Sequence, residues 1–386
     1  MDESVLDASN NRIGIVGRKR VQLNLEQIET VPFHRRTNIR SLSAAIQVPK
    51  STLHRCIQQG QLQSHTNAIK PFLTEENKLK RLAFVLNQFV PESLPHSPIF
   101  KDFSCTIHVD EKWFEMSKQS LRVYKTERER EPHRTAKSKA HIPKLMHLCA
   151  IGRPIFGPEG EVIWDGKVGI WPLTIQVPAQ RRSKNRAAGT LETKLIPRIT
   201  KEVYRTLMIQ QVLPTIKEKV PEAITKHIII QQDNAKPHID VNDPEFVQAA
   251  NADGYSIELT CQPPNSLDLN ILDLGFFASI QSLQHQTSTR NVNELVQHVA
   301  QAYANLEAKK LNYVWISYQL AMTEIMKVQG GNNYKLAHIG KARLEREGAL
   351  PNQLQVSTEL YQASVCALQG VPATHGEGEG SASEAV

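Results

Sequence analysis

No run of about 18 apolar residues occurs in the 386-residue chain, so no segment is expected to cross a membrane as a helix. The N-terminus, MDESVLDASNN, is polar and acidic and lacks the order of a secretory leader. Cysteine is scarce: Cys56, Cys105, Cys149, Cys261 and Cys366 are scattered, with no CxxC pair. The 14 His residues fall at no zinc spacing with them. A disulfide framework and a structural zinc site are therefore not expected, and a reducing compartment fits. No Ser/His/Asp or Cys/His pattern marks a protein nucleophile, no small-molecule cofactor is called for, and no internal repeat is visible.

What the chain does have is positive charge, and its placement matters. The formal net charge is +7 and the isoelectric point is about 9.1. Basic residues concentrate at Arg18–Arg20, Arg35–Arg40, Arg134–Lys139 and Arg181–Arg186. Such stretches suit neutralisation of backbone phosphates, with Arg134, Lys137, Lys139, Arg181, Arg182 and Lys184 as the candidate contacts.

Length predicts two or three domains. Residues 1–22 carry no pattern and are expected to be disordered. NLEQIETV predicts a short helix stopped at Pro32. SLSAAIQ and STLHRCIQQ predict two short helices broken at Val48-Pro49, a helix-turn-helix. The second helix is expected to offer Lys50, Ser51, Thr52, His54 and Arg55 to a DNA major groove. A helix over LTEENKLKRLAFVLNQF is expected to close this region at residue 90, with a proline-rich linker at 91–102. Strands follow: TIHVD, SLRVYK and KLMHLCAIG as a meander, then a hairpin through VIWDGKVGIW. A helical stretch interrupted near Pro214 precedes the strand HIIIQQ, and two amphipathic helices come after 290. Residues 346–386 are expected to be a largely disordered tail.

The stretch from His227 to Leu283 organises the rest. Ile228, Ile229 and Ile230 form the β-branched run a buried strand needs, and it ends at Asp233. Pro263 and Pro264 break regular structure. Asn270 can then cap a helix with Asp273 in its first turn. Upstream, TIHVDEKWF places Ile107 and Val109 on one strand face and His108 and Asp110 on the other. Three carboxylates at strand and helix ends suit hard, oxygen-preferring cations such as Mg²⁺. Two such ions roughly 3.5–4 Å apart can clamp the attacking and leaving oxygens of a phosphodiester. Asp110, Asp233 and Asp273 are thus the candidate catalytic and metal-binding residues, with Asp268 the alternative third carboxylate.

HVDEKWF, QQDNAKPH and PPNSLDLNILDLGFF resemble the three catalytic signatures of mariner-type DNA transposases. The branch common in plants has 39 residues between its second and third aspartates, as lie between Asp233 and Asp273. HRTAKSKAHIPKLM, GKVGIWP, SKNRAAGTLETK, EIMKVQGGNNYKLAH and RTNIRSLSAAIQVPKSTLHR are similar to the same branch. The resemblance spans roughly residues 17–340. It implies a ribonuclease-H-like mixed-sheet α/β domain over 103–345, preceded by the all-α helix-turn-helix region at 23–90. It implies that Asp110, Asp233 and Asp273 hold two Mg²⁺ ions, for which Mn²⁺ can substitute. It implies cut-and-paste movement between terminal inverted repeats, insertion at TA sites in double-stranded DNA, action as a homodimer or higher homo-oligomer, and nuclear location. Two departures stand out: Leu267 replaces the family's proline, and one helix-turn-helix is readable where the family has a pair. The competing expectation is a transposon-derived, catalytically inactive DNA-binding protein. A structure-selective ribonuclease on the same fold is disfavoured by the helix-turn-helix.

Overall fold

Asn24 starts the first helix, α1 (Leu25–Thr30), by accepting a hydrogen bond from the Gln27 amide, and Pro32 follows its end. This is a computed structural model, describing residues 23–63, 70–116, 142–182, 186–221, 226–286, 289 and 291–370, and it divides into two compact units, Met1–Lys70 and Pro71–Val386. In the first unit, Asn38 caps α2 (Ile39–Ile46) through the Ser41 amide. Gln47 ends that helix in the left-handed region at φ 55°, and Pro49 precedes α3 (Lys50–Gln58). Ile28, Ile46 and Leu53 meet at the centre, packed by Leu42, Ala45 and Val48. Each such burial removes apolar surface worth about 1.5–3 kcal/mol, which holds three short helices together. The expected helix-turn-helix is present.

The second unit is built on a five-stranded sheet in the order β5-β2-β1-β8-β9. Its strands are β1 (Thr106–Glu115), β2 (Lys144–Gly152), β5 (Lys167–Pro172), β8 (His227–Gln232) and β9 (Ser256–Cys261). β1, β2 and β5 pair antiparallel, whereas β8 and β9 run parallel to β1. Two short hairpins stand outside the sheet: β3 (Ile155–Phe156) with β4 (Val162–Trp164), and β6 (Thr174–Pro178) with β7 (Leu191–Leu195).

Alternation along β1 sorts the side chains onto two faces. Ile107 and Val109 join Leu148 and Ala150 against α5 (Lys201–Leu207), α6 (Leu213–Lys219) and α7 (Pro244–Ala250), through Tyr204, Ile216 and Phe246. A π-helical turn, Met208–Val212, joins α5 to α6, so Pro214 enters at a helix start where its missing N–H costs little. The opposite face carries Phe114, Leu145, Cys149 and Ile151. It packs on α4 (Glu75–Leu86), α8 (Phe277–Gln284), α9 (Val292–Asn305) and α10 (Ala308–Lys327), with Trp315 fully buried. A short α11 (Lys341–Arg346) and α12 (Thr358–Gln369) complete the unit. Helices on both faces of a mixed sheet make the expected ribonuclease-H-like architecture. No helix among the described residues is long and apolar enough to cross a membrane.

Three boundaries differ from expectation. Residues 91–102 are not a linker between domains, because Phe89 pairs and stacks with Phe100 at 4.3 Å and both are buried in the second unit's core. α4 belongs to that unit too, through Leu82 and Val85. The compact second unit therefore starts at Pro71 instead of residue 103. Nor is all of 346–386 a loose tail. Val356 donates to the Pro98 carbonyl at 2.9 Å, Phe100 donates to the Leu354 carbonyl at 3.0 Å, and Tyr361 of α12 packs edge-on against Phe89. The Asp165-Gly166 turn also joins no hairpin: β4 pairs with β3, and β5 leaves it to pair with β2. SLRVYK, residues 1–22 and the last 16 residues lie outside the described residues.

Candidate active site

Asp110, Asp233 and Asp273 come from neighbouring elements. Asp110 lies on the central strand β1, on the face turned toward α8 and α10. Asp233 follows the last residue of β8, the strand parallel to β1. Asp273 sits in a π-helical turn, Leu272–Phe276, that leads into α8. A π turn widens the backbone locally and is a recurrent device at functional sites.

A buried polar network fixes these three elements to one another. Asn270 Oδ1 accepts from the Leu272 amide at 3.0 Å, the expected cap, while its Nδ2 donates to Asp110 Oδ2 at 3.1 Å. The Ile271 amide donates to His108 Nδ1 at 3.4 Å, so that nitrogen is an acceptor for Gln231 Nε2 at 3.3 Å as well. Gln231 also donates to the Leu269 carbonyl at 2.8 Å. Burial pushes the His108 imidazole down to about 3, against a small upward effect of Asn270, so it stays neutral. One cap residue thus ties the π turn to β1, and one glutamine ties β8 to the loop before it.

The electrostatics are those of carboxylates in excess. Burial raises the Asp110 carboxyl well above the usual carboxylate range, and the charges of Asp273, Glu111 and Asp233 push it the same way. Burial also raises Asp273, with Lys112 and a hydrogen bond to Asp110 pulling back. Asp233 differs. Burial would raise it, but His238 and the Ala235 amide hold it below the usual range. His238 Nδ1 lies 2.8 Å from Asp233 Oδ1, and its Nε2 lies 3.2 Å from Glu111 Oε2. Burial opposes charge on that ring, yet the two carboxylates outweigh it and push the imidazole up to about 10.

Hard oxygen donors with raised proton affinity are the donor chemistry of Mg²⁺ or Mn²⁺, and a divalent cation would relieve the repulsion that burial amplifies. The carboxylates do not close into a preformed cage: among the described residues no three His, Cys, Asp or Glu side chains are poised to hold an ion. Asp268 has no place in that cluster. Arg81, fully buried on α4, takes both its oxygens at 2.7 Å, and the Tyr334 hydroxyl donates to Oδ2 at 2.5 Å. Leu267 is 54% exposed, so the departure from proline removes no packing, and the neighbouring Asp268 anchor holds the loop.

The expected DNA contacts are only partly brought together. On α3, Lys50, Ser51 and His54 are exposed and Arg55 is half-buried. Thr52 is a correction: it shares the inner face of α3 with Leu53 and Cys56 and is buried. Arg181 and Arg182 are exposed between β6 and β7. Arg134, Lys137, Lys139 and Lys184 lie outside the described residues. Sequence reasoning missed Asn270 as a partner of Asp110, and missed Glu111 and His238 altogether. The strings VDE, DNAKPH and DLN held these residues, but only the fold shows that they meet.

No family model matches the sequence, and no curated protein matches it. Solved structures do. A pre-cleavage Mos1 transpososome is 12% identical, with 83% of this chain and 82% of that chain covered and a TM-score of 0.53. The mariner Mos1 paired end complex with Mg is 13% identical, with 86% and 85% covered and a TM-score of 0.52. The Mos1 mariner paired end complex with Mn is 13% identical, with 83% and 82% covered and a TM-score of 0.51. At such identity the likeness is one of architecture, and it covers more than four fifths of the chain: the chain has the fold of a mariner transposase.

Proposed function

We propose that this protein is a metal-dependent DNA transposase of the plant-type mariner branch, which cleaves at terminal inverted repeats and joins the freed 3′-OH to TA target sites. The observation that carries the proposal is the convergence of Asp110, Asp233 and Asp273 from β1, β8 and the π turn, with burial raising the proton affinity of Asp110 and Asp273. Mg²⁺ or Mn²⁺ bound there would activate a water or 3′-OH and stabilise the leaving oxygen of a phosphodiester. Asp110, Asp233 and Asp273 would hold the ions. Asn270 orients Asp110 by donating to Oδ2, which leaves Oδ1 bonded to the Glu111 amide. Lys112, on the same strand face as Asp110, offsets part of the negative charge at Asp273. Exposed Lys50, Ser51 and His54 on α3, with Arg55, suit major-groove contacts, and Arg181 and Arg182 suit phosphates. The transpososome and paired-end neighbours support DNA as partner and a homodimer as the working form; action on chromosomal DNA would call for nuclear location.

The test is cleavage of a labelled duplex carrying the repeat that flanks the coding sequence. Asp110→Asn, Asp233→Asn and Asp273→Asn should each abolish cutting and leave DNA binding near wild type. Mn²⁺ should replace Mg²⁺, and Ca²⁺ should permit binding without cutting. Equal cutting by wild type and Asp273→Asn overturns the assignment of the third ligand. Binding without cutting by wild type in Mg²⁺ and Mn²⁺ favours a DNA-binding protein that has lost catalysis.

A further inference from the structure

Glu111 points away from the metal-binding aspartates. It lies on the face of β1 opposite Asp110, yet it sits against a buried histidine that touches Asp233. His238 is 6% exposed. Its ring stacks on Tyr204 at 4.2 Å with an interplanar angle of 19°. Tyr204 is itself held, because its hydroxyl donates to Gln232 Oε1 at 3.1 Å and Gln232 Nε2 donates to the Ile239 carbonyl at 2.8 Å. The imidazole therefore has a fixed plane and a carboxylate at each nitrogen. His238 Nδ1 lies 2.8 Å from Asp233 Oδ1 and hydrogen-bonds the Asp233 backbone carbonyl at 3.1 Å, and the Ala235 amide donates to the same Oδ1 at 2.8 Å. Asp233 Oδ2 is left without a hydrogen-bond partner among the described residues.

We propose that His238 is a positioning residue: braced by Glu111 and Tyr204, it fixes Asp233 through Oδ1 so that Oδ2 is presented to a divalent cation. The proposal rests on the metal-dependent transposase function above. A ligating carboxylate held by a hydrogen-bonded neighbour loses less rotamer freedom when an ion binds, which is how outer-shell partners contribute to metal affinity. The arrangement also explains a buried histidine between β1 and β8 that no apolar contact requires. Glu111 lies midway along β1 and Asp233 just past the end of the neighbouring parallel strand β8, and His238 spans them.

Mn²⁺ binding by the purified, metal-free full-length chain tests this without any DNA substrate, read by calorimetry and by the loss of the free-ion paramagnetic signal. His238→Gln carries an amide near the position of Nε2 and loses the contact to Asp233. His238→Asn carries one near Nδ1 and keeps it. Mn²⁺ affinity should fall about 10- to 100-fold in His238→Gln, and His238→Asn should recover most of the loss. Metal-free melting temperatures, measured for both variants, separate positioning from folding. Equal affinity loss in the two variants, or unchanged affinity in His238→Gln, overturns the proposal. In the second case, wild type that binds Mn²⁺ beside an Asp110→Asn variant that does not leaves the transposase function standing. Wild type that binds no Mn²⁺ overturns both.

Discussion

Arg81 and Asp268 lie 187 residues apart in the chain and face each other through two parallel 2.7 Å hydrogen bonds. The guanidinium is fully buried, and its Nε also donates to the Gly330 carbonyl at 2.8 Å. A buried pair of this kind is weak evidence of net stabilisation, but breaking it leaves an uncompensated charge. Burial alone would raise Asp268, and Arg81 holds it below the usual range. Arg81→Met should therefore destabilise the second unit by about 3–5 kcal/mol, read from urea midpoints at constant slope. A loss below about 1 kcal/mol, the scale of an exposed pair, would show that the pair does not anchor the loop before Asp273.

A second expectation concerns the aspartates without metal. Their repulsion is relieved when one charge is removed at constant shape. Above about pH 8, where Asp110 is ionised, Asp110→Asn should raise the melting temperature of the metal-free protein by about 2–4 °C per kcal/mol gained. It should also cancel the further rise that Mn²⁺ gives wild type. A metal-free Asp110→Asn protein that melts lower than wild type contradicts the electrostatic description of the site.

Acid sensitivity follows from a histidine outside the site. His147 faces Phe114 edge-on at 5.3 Å, and neither ring nitrogen reaches a partner at hydrogen-bond geometry among the described residues. Burial pushes its imidazole from the ordinary 6.5 down to about 4, despite a weak opposing effect of the Leu145 backbone. On acidification the unfolded chain takes up the proton first. Stability is intact above about pH 6.5 and declines toward pH 4, by up to about 1.4 kcal/mol per pH unit for this one group. His147→Leu should flatten that decline in urea titrations from pH 7 to 4.5. A slope identical to wild type assigns the lost protons elsewhere.

On α3 the inner and outer faces give opposite forecasts. Arg55→Ala should weaken specific binding to the flanking repeat by roughly 1–3 kcal/mol if it reads a base. Thr52→Val, on the buried face, should leave affinity unchanged in the same gel-shift assay. Comparable losses from both changes would mean that α3 is not presented to DNA as described.

The local signals in the sequence were read well where one element decides its own form. The Ile228–Ile230 run, the Asn270 cap and the alternation of Ile107 and Val109 against His108 and Asp110 all stand in the structure. What the sequence hid was partnership across distance. The prolines between Phe89 and Phe100 suggested a break, because nothing local says that these two rings stack over the turn. The residues at 352–369 read as a tail because their partners are more than 250 residues upstream, at Pro98 and Phe100. Thr52 looked like a groove contact because its type suits DNA, whereas helical spacing from Cys56 puts it inside. His238 gave no cue, since a histidine after a strand has many ordinary uses.

The pairing of Ile99 with Gln355 has a consequence for synthesis on the ribosome. Ile28, Ile46 and Leu53 lie within the first 53 residues, so the helix-turn-helix core is complete early and can close while translation continues. The unit that carries the aspartates cannot. Phe100 and Pro98 meet their backbone partners only after Leu354 and Val356 have left the exit tunnel. A nascent chain would thus close its helix-turn-helix core well before the second unit could, and a message truncated ahead of codon 354 would leave that second unit with an open core.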